Sequence, residues 1–259
     1  MNICLFTQEE INKPLSLSDE RGNHLIKILH KKEGDSFTAG IIGDKAGTAT
    51  ITKIDDKEIS FSFKPESSGK ELFPVKMIIG FPRPIQLKRL LRDVAALGVS
   101  EVHLTGTELG EKSYMQSTLV EKGNAYKMLL DGTVQAGSTH VPQLFLHKTL
   151  KECLAYLEEN ASKEHAHHIL RLALDNINPK CSVSEAMKDL PCMSCVNPCG
   201  EGKTVFAAIG SERGWTDKER TLMEESGYIR CGMGSRIMRT ETAATVAGSI
   251  ILNTLGFLN

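Results

Sequence analysis

The sequence contains no run of the roughly 18 apolar residues that a membrane-spanning helix needs, so no transmembrane segment is expected. It has no excess of either charge: 31 Lys and Arg face 32 Asp and Glu, for a formal net charge of -1. No global positive field therefore advertises nucleic acid, and contact with phosphates would need a local basic face. The opening residues, MNICLFTQEE, lack a basic stretch followed by an apolar one, so no secretory signal peptide is read. Repeats and low-complexity tracts are absent. So are the GxxxxGK[ST] phosphate loop, GxGxxG, HExxH, a nucleophile elbow and a Ser-His-Asp order, which leaves hydrolase readings without support. Seven cysteines without an export signal point to reduced thiols and a cytoplasmic protein.

What is present is a chain of 259 residues, 41% hydrophobic, long enough for one large domain or two smaller ones. Residues 1 to about 70 read as small and largely β. Ser18 is positioned to cap a short helix whose apolar residues Leu25, Ile28 and Leu29 share one face. Three short strand-like runs follow, at 36–42, 48–54 and 58–63, separated by Gly43-Asp44 and Asp55-Asp56, as in a meander or small barrel. Pro65 to Lys70 is polar and is the linker candidate. From residue 72 strands and helices alternate. Strands are read at 75–81, 99–104, 144–146, 168–174, 204–209 and 228–231. Helices are read at 84–97, 119–136, 149–159, 216–226 and 241–255. This alternation predicts a mostly parallel sheet covered by helices, with ligands at the carboxyl ends of its strands.

Two glycine-bearing loops lie at such ends. Ile209-Gly210-Ser211-Glu212-Arg213-Gly214-Trp215 follows one strand, and Gly232-Met233-Gly234-Ser235-Arg236-Ile237-Met238-Arg239 follows another. Glu212 would repel phosphate, so a neutral or zwitterionic ligand held by backbone groups, such as an adenosine with an amino-acid tail, fits the first loop better. Two ordinary turns are the plain alternative. Arg230, Arg236 and Arg239 gather in or near the second loop and suit phosphate or carboxylate recognition; a solvated basic face or an Arg239–Glu241 pair would explain them equally. Arg83, Lys88, Arg89 and Arg92 form a second basic group on one helix side, either a solvated face or a contact to RNA phosphates. The last helix is rich in small residues (Ala243, Ala244, Ala247, Gly248), which suits a tight core helix or a subunit interface; Val246, Ile250 and Ile251 read as its core face. Cys192, Cys195 and Cys199, with Cys181 upstream, have spacing that a zinc or iron–sulfur site uses. No second CxxC pair accompanies them, and His165, His167 and His168 do not pair with them by spacing, so no metal is assigned.

The first loop, with Asp217-Lys218-Glu219 behind it, resembles the IGPEGGF…E motif of the RsmE-type 16S ribosomal RNA methyltransferases. Gly232 to Ala243 resembles their LG-x-RILRTETA motif closely. His24-Leu25-Ile26-Lys27-Ile28-Leu29 is similar to HLxxVLR, Gly34-Asp35 to the GD after it, and Ala95 to Val99 to ELGV. Gln135 with Val141-Pro142 sits where the family has EQ…R…VP. The resemblance spans nearly the whole chain. It implies the SPOUT superfamily and an α/β fold. An RNA-binding, PUA-like β-barrel is expected over 1–70. A methyltransferase domain is expected over 71–259, with a deep trefoil knot and the cofactor site within about 170–245. It further implies a homodimer that binds S-adenosylmethionine and methylates N3 of a uridine in 16S RNA of the small ribosomal subunit, with no membrane or DNA partner.

By the same resemblance, Leu174, Ile209, Gly210, Glu212, Gly214, Met233, Gly234, Ile237 and Met238 are the expected cofactor-binding residues. Arg236, Arg239 and Glu241 are the catalytic candidates: the arginines to stabilise charge on the uracil oxygens, Glu241 to orient an arginine or take the N3 proton. His24, Lys27, Arg83, Lys88 and Arg92 are the candidates for RNA contact. The chain departs from the family at Ser211 (for proline), Arg213 (for glycine), Val134 (for glutamate), Ser138 and His30 (for arginine), and in lacking an arginine within Met1 to Phe6. Several of these are expected RNA-facing positions, so the resemblance speaks more directly for the cofactor than for the target. A non-catalytic RNA- or ribosome-binding relative is the alternative; a metal- or redox-sensing protein built on Cys181 to Cys199 is a third.

Overall fold

The computed structural model describes residues 2–117, 120, 123–161, 168–188 and 203–258. Cys192, Cys195, Cys199, His165 and His167 lie outside the described residues. The chain divides into two compact units, Met1–Glu71 with Leu130–Val141, and Leu72–Leu129 with Pro142–Asn259.

The smaller unit is a five-stranded sheet in the order β1-β3-β4-β5-β2. Its strands are β1 (Cys4–Phe6), β2 (Leu15–Ser16), β3 (Ser36–Ile41), β4 (Ala46–Ile54) and β5 (Glu58–Ser67). β1 and β3 are parallel; the other pairs are antiparallel. Alternate residues such as Phe37, Ala39, Ala49, Ile51 and Ile59 point into one core with Phe6 and Leu25. The expected linker begins as strand: Pro65 and Ser67 pair with Gly47 and Ala46. Pro65 lacks an N–H, but β2 pairs with β5 only at Glu58 and Ile59, so nothing here needs that donor. Gly47 lets Pro65 approach, since a Cβ there would lie 2.1 Å from the Lys64 carbonyl.

Asp19, not Ser18, caps the short helix α1 (Glu20–Asn23), its carboxylate accepting from Arg21 N. A π-helical turn, His24–Ile28, continues it. The wider turn rotates the faces apart, so Leu25 is buried while Ile28 is 64% exposed, against the single apolar face expected. Arg21 ties this corner together, binding Asp19, Glu10 and the Leu5 carbonyl. The later segment of this unit is held likewise: Thr139 Oγ1 donates to the Asp44 carbonyl at 2.7 Å, and Ser138 Oγ to that of Lys70 at 3.1 Å. Ser138 is thus committed to backbone contacts.

The larger unit is an all-parallel seven-stranded sheet in the order β10-β12-β9-β11-β6-β7-β8. These strands are β6 (Phe73–Gly80), β7 (Val99–Thr105), β8 (Gln143–His147), β9 (His168–Leu174), β10 (Cys181–Ser182), β11 (Lys203–Ile209) and β12 (Ile229–Gly232). The helices are α2 (Pro84–Leu97), α3 (Lys112–Met115), α4 (Asn124–Ala136, of which 124–129 belong to this unit), α5 (Leu150–Ala161), α6 (Val183–Ala186), α7 (Asp217–Glu225) and α8 (Thr240–Thr254). Of the helix read at 119–136, α4 covers 124–136, after Gly123 at φ +68°, and Val120 is also helical; 118, 119, 121 and 122 lie outside the described residues. β10 and α6 fall between the strands read at 168–174 and 204–209, where no element is expected; their signal is a capping box between Ser182 and Glu185. α2 follows its sequence pattern, with Pro84 in its first turn and Gly98 left-handed behind it.

α2 and α8 pack on each other over one sheet face. A Cβ on Gly248 would lie 2.8 Å from Met77 and 2.9 Å from Leu97, so the small residues of α8 form its core face. Val246 and Ile250, expected to be core, are only half-buried. α5 and α7 cover the other face, closing over Phe206, Ala208 and Ile78.

Under α5 runs a buried polar row. Lys76 Nζ lies 2.9 Å from Glu101, Glu101 lies 2.8 Å from His103 Nε2, and His103 Nδ1 lies 3.0 Å from His147 Nε2. With the His103 Nε2 proton given to the carboxylate, Nδ1 is left to accept from His147 Nε2–H. Burial first, then the repulsion His103 would exert if both rings were protonated, lowers the His147 pKa from its ordinary 6.5. The unfolded chain therefore takes up a proton that the fold resists, and stability falls as the pH drops below about 6.5. His147→Gln, which keeps a donor, should shrink the stability difference between about pH 7.5 and pH 5.5 in urea unfolding; an unchanged difference would contradict this assignment.

Candidate functional site

Strand register builds the site. Ile209 pairs with Leu174, and Leu174 pairs with Cys231, so the carboxyl ends of β11, β9 and β12 form one row. Beside them the chain runs from β6 to β7 in one direction while β11 lies on the other side of β6, the switch in strand order where such sheets bind ligands. A cavity of about 300 Å³ opens there.

The first loop is a tight turn. Gly214 N donates to the Ser211 carbonyl at 2.8 Å, with Gly214 at φ +71°. A Cβ at Gly210 would lie 3.0 Å from the Gly214 backbone, which leaves glycine as the residue that fits. Ser211, where the family has proline, is buried and accepts from Thr107 Oγ1 at 3.0 Å. Trp215 turns inward and donates from Nε1 to the Leu174 carbonyl at 3.1 Å. A capping box starts α7: Thr216 and Glu219 bond reciprocally. Glu219 also accepts from Glu108 N at 2.9 Å, anchoring the segment behind the loop.

The second loop leaves β12 at Gly232, whose missing side chain admits Pro179: a Cβ would sit 2.9 Å from its Cγ. It ends at Thr240, whose hydroxyl donates to the Gly210 carbonyl at 3.2 Å and so ties the two loops together. Ile237 is 84% exposed at the rim. The floor holds a buried ion pair, Asp175 with Arg220 Nε at 2.6 Å; Arg220 also reaches Asp217 at 2.8 Å.

All nine expected cofactor residues, Leu174, Ile209, Gly210, Glu212, Gly214, Met233, Gly234, Ile237 and Met238, line this cavity, as does Arg236. Arg239 and Glu241 line an adjoining cavity of about 340 Å³ that shares Glu212, Ile237 and Met238 with the first. Arg83 comes into this second cavity, its Nε 3.2 Å from Glu212. A hydrogen bond to Tyr114 and the charge of Glu212 raise the Arg83 pKa further, so it stays charged. Gln86 Oε1 and Glu241 Oε2 are buried there without a hydrogen-bond partner among the described residues. The Arg239–Glu241 pair weighed from sequence is thus not made.

Arg230 stands apart from the other two arginines, spent on Glu224 at 2.8 Å and the Ile177 carbonyl at 3.1 Å. Lys88 and Arg92 are exposed on α2. In the smaller unit Lys27 is exposed and His24 half-buried, both on the π-helical turn. Sequence reasoning missed Asp175, Trp215, Arg220, Thr240 and Gln86. Asp175 had a usable signal, as the first polar residue after an apolar parallel strand.

Sheet, switch point and paired glycine loops define a ligand-binding parallel α/β fold, and the family match over its residues makes the class an RNA methyltransferase fold. Residues 69–252 match the family described as RNA methyltransferase domain, and residues 17–64 match the RNA methyltransferase PUA domain. The chain belongs to the ribosomal RNA small subunit methyltransferase E family. It is 38% identical over 257 residues to the Treponema pallidum protein named ribosomal RNA small subunit methyltransferase E, covering 97% of this chain and 91% of that one. It is 32% identical over 253 residues to ribosomal RNA small subunit methyltransferase E 1 of Borreliella burgdorferi, covering 97% of each. Among solved structures, the Neisseria gonorrhoeae ribosomal RNA small subunit methyltransferase E bound to S-adenosyl methionine aligns with a TM-score of 0.73 at 18% identity, over 98% of this chain and 97% of that one. A methyltransferase of Legionella pneumophila in complex with the cofactor SAM aligns with a TM-score of 0.73 at 22% identity, over the same shares.

Proposed function

We propose that this protein is an S-adenosylmethionine-dependent methyltransferase acting on N3 of a uridine in 16S RNA of the small ribosomal subunit. The observation that carries this reading is the cavity at the ends of β9, β11 and β12. Its volume suits a small cofactor. Three of its lining residues, Gly210, Gly214 and Gly234, carry no side chain, and Gly234, at φ +101°, leaves open space where one would stand. A nucleoside joined to a zwitterionic amino acid fits such walls better than a polyphosphate does. Leu174, Ile209, Gly210, Glu212, Gly214, Met233, Gly234, Ile237 and Met238 would hold it. The bound cofactor supplies an electrophilic methyl group.

The adjoining cavity is the proposed seat of the target base. Uridine N3 carries a proton that must leave before or during transfer. The unpartnered Glu241 Oε2 is the acceptor offered for it, and Gln86 Oε1, in the same cavity, can accept a hydrogen bond from the base. Negative charge then spreads onto the uracil oxygens, where Arg236 and Arg239 would stabilise it. Arg83, Lys88 and Arg92 in the larger unit, and His24 and Lys27 in the smaller, are proposed to contact RNA phosphates. Family membership also supports a trefoil knot within about 170–245, a division of labour between an RNA-binding 1–70 and a catalytic 71–259, a homodimer, and action in the cytoplasm. No described helix is long and apolar enough to cross a membrane.

The test is incubation with methyl-labelled S-adenosylmethionine and small subunits lacking their own N3-methyluridine, followed by mapping of the label. Label on a single 16S uridine is expected. Calorimetry showing no S-adenosylmethionine binding by the purified protein would refute the reading.

A further inference from the structure

The cysteines left over from the proposed function include one close pair. Cys181 in β10 and Cys231 in β12 are register partners in adjacent parallel strands, with their Sγ atoms 3.8 Å apart. Cys231 is fully buried and lines the 300 Å³ cavity; Cys181, on the end strand β10, does not line it and is half-buried. The Cys231 carbonyl accepts from Asp175 N at 3.0 Å, so its backbone helps hold the cavity floor.

We propose that Cys181 and Cys231 are a reversible dithiol–disulfide pair, oxidised by hydrogen peroxide, whose closure weakens cofactor binding. Directly paired strands place Cα atoms roughly 4.8 Å apart. That lies inside the range a disulfide spans, about 4.4–6.8 Å, but below its preferred 5.5–6 Å. The bond can form, and its strain makes it readily reduced, as labile regulatory disulfides are. The reaction balances in two steps. The Cys181 thiolate attacks one peroxide oxygen, the O–O bond breaks and hydroxide leaves, giving a sulfenic acid. Cys231 then attacks the Cys181 sulfur, the S–S bond forms, the S–O bond breaks, and the thiol protons and departing hydroxides end as two waters. Burial, then its Cys181 neighbour, pushes the Cys231 thiol up to about 12, so it is not the sulfur that meets the peroxide; in the second step its 3.8 Å contact with Cys181 supplies the proximity, and its proton leaves with the departing hydroxide. Closing the pair draws the sulfurs from 3.8 Å to about 2.05 Å and pulls the Cys231 wall toward β10.

The effect on the cofactor rests on reading this cavity as the S-adenosylmethionine site, so the experiment separates the two claims. The full-length protein is treated with hydrogen peroxide and peptide-mapped by mass spectrometry. S-adenosylmethionine affinity is measured by calorimetry before oxidation, after it, and after dithiothreitol. A Cys181–Cys231 peptide and an affinity lowered by about tenfold and restored by the reductant are expected. Cys181→Ser should bind like the reduced wild type and not respond to peroxide. Absence of the linked peptide, a linked protein with unchanged affinity, or an equal peroxide response in Cys181→Ser each overturns the proposal. A linked peptide in a protein whose reduced form binds no S-adenosylmethionine supports the pair and refutes the cofactor reading.

Discussion

Arg236→Ala and Arg239→Ala should each abolish methyl transfer to the small subunit while S-adenosylmethionine binding persists. Both side chains are exposed at the rim, where truncation removes no core contact. Arg239 lines the cavity that holds the two unpartnered acceptors, and Arg236 lines the adjoining cofactor cavity. Removing one group that stabilises developing negative charge lowers turnover by about 10²–10³-fold. Single-turnover transfer with labelled cofactor, alongside calorimetry, reads both quantities. Full transfer by both variants would remove the arginines from the mechanism. Loss of cofactor binding together with transfer would make them binding residues instead.

Arg220→Met should cost more in stability than any rim substitution. Asp175 is almost wholly buried, its side chain 1% exposed, and Arg220 is 11% exposed. Removing the guanidinium leaves the carboxylate buried and short of its partner, a loss of about 3–5 kcal/mol in such cases. For a unit of this size that corresponds to a fall in Tm of roughly 6–20 °C. Asp175 sits directly after β9 and accepts from Ile177 N at 3.1 Å, so its movement would also disturb the cavity floor. Differential scanning calorimetry checks the first effect and cofactor titration the second. An unchanged Tm would show that the pair is not needed for the fold.

The larger unit was the more legible. Its strands are buried on both faces, so they stand out as apolar runs, and α2 and α7 carry their stop and start signals within a few residues. The smaller unit misled where one local feature outweighed a pattern. A π-helical turn breaks the spacing of Leu25 and Ile28. Pro65 continues a strand because its neighbour on one side is Gly47 and β2 does not reach it on the other. In the site, residues contiguous in a loop were legible as a group. Partnerships across the fold were not: Asp175 with Arg220 and Cys181 with Cys231 join positions far apart in sequence, and nothing local announces them. The sequence did place Arg83 in a basic group, but not beside Glu212, because that contact depends on the order of β6 and β11.

That strand order has a consequence for how the protein is made. β6 pairs with β11, joining Val75 to Val205, and the cavity closes only when Thr240 reaches Gly210. During synthesis the smaller unit has all its residues once Val141 has emerged. β6, β7 and β8 can assemble soon after, but β6 then presents an open edge until β11 arrives. Pairings this remote in sequence form slowly, and an unpaired edge invites association with other chains. The nascent protein should therefore pass through a stage with a finished smaller unit and a half-built sheet. Chains truncated shortly before residue 203 should aggregate, whereas those that include Thr254 should not.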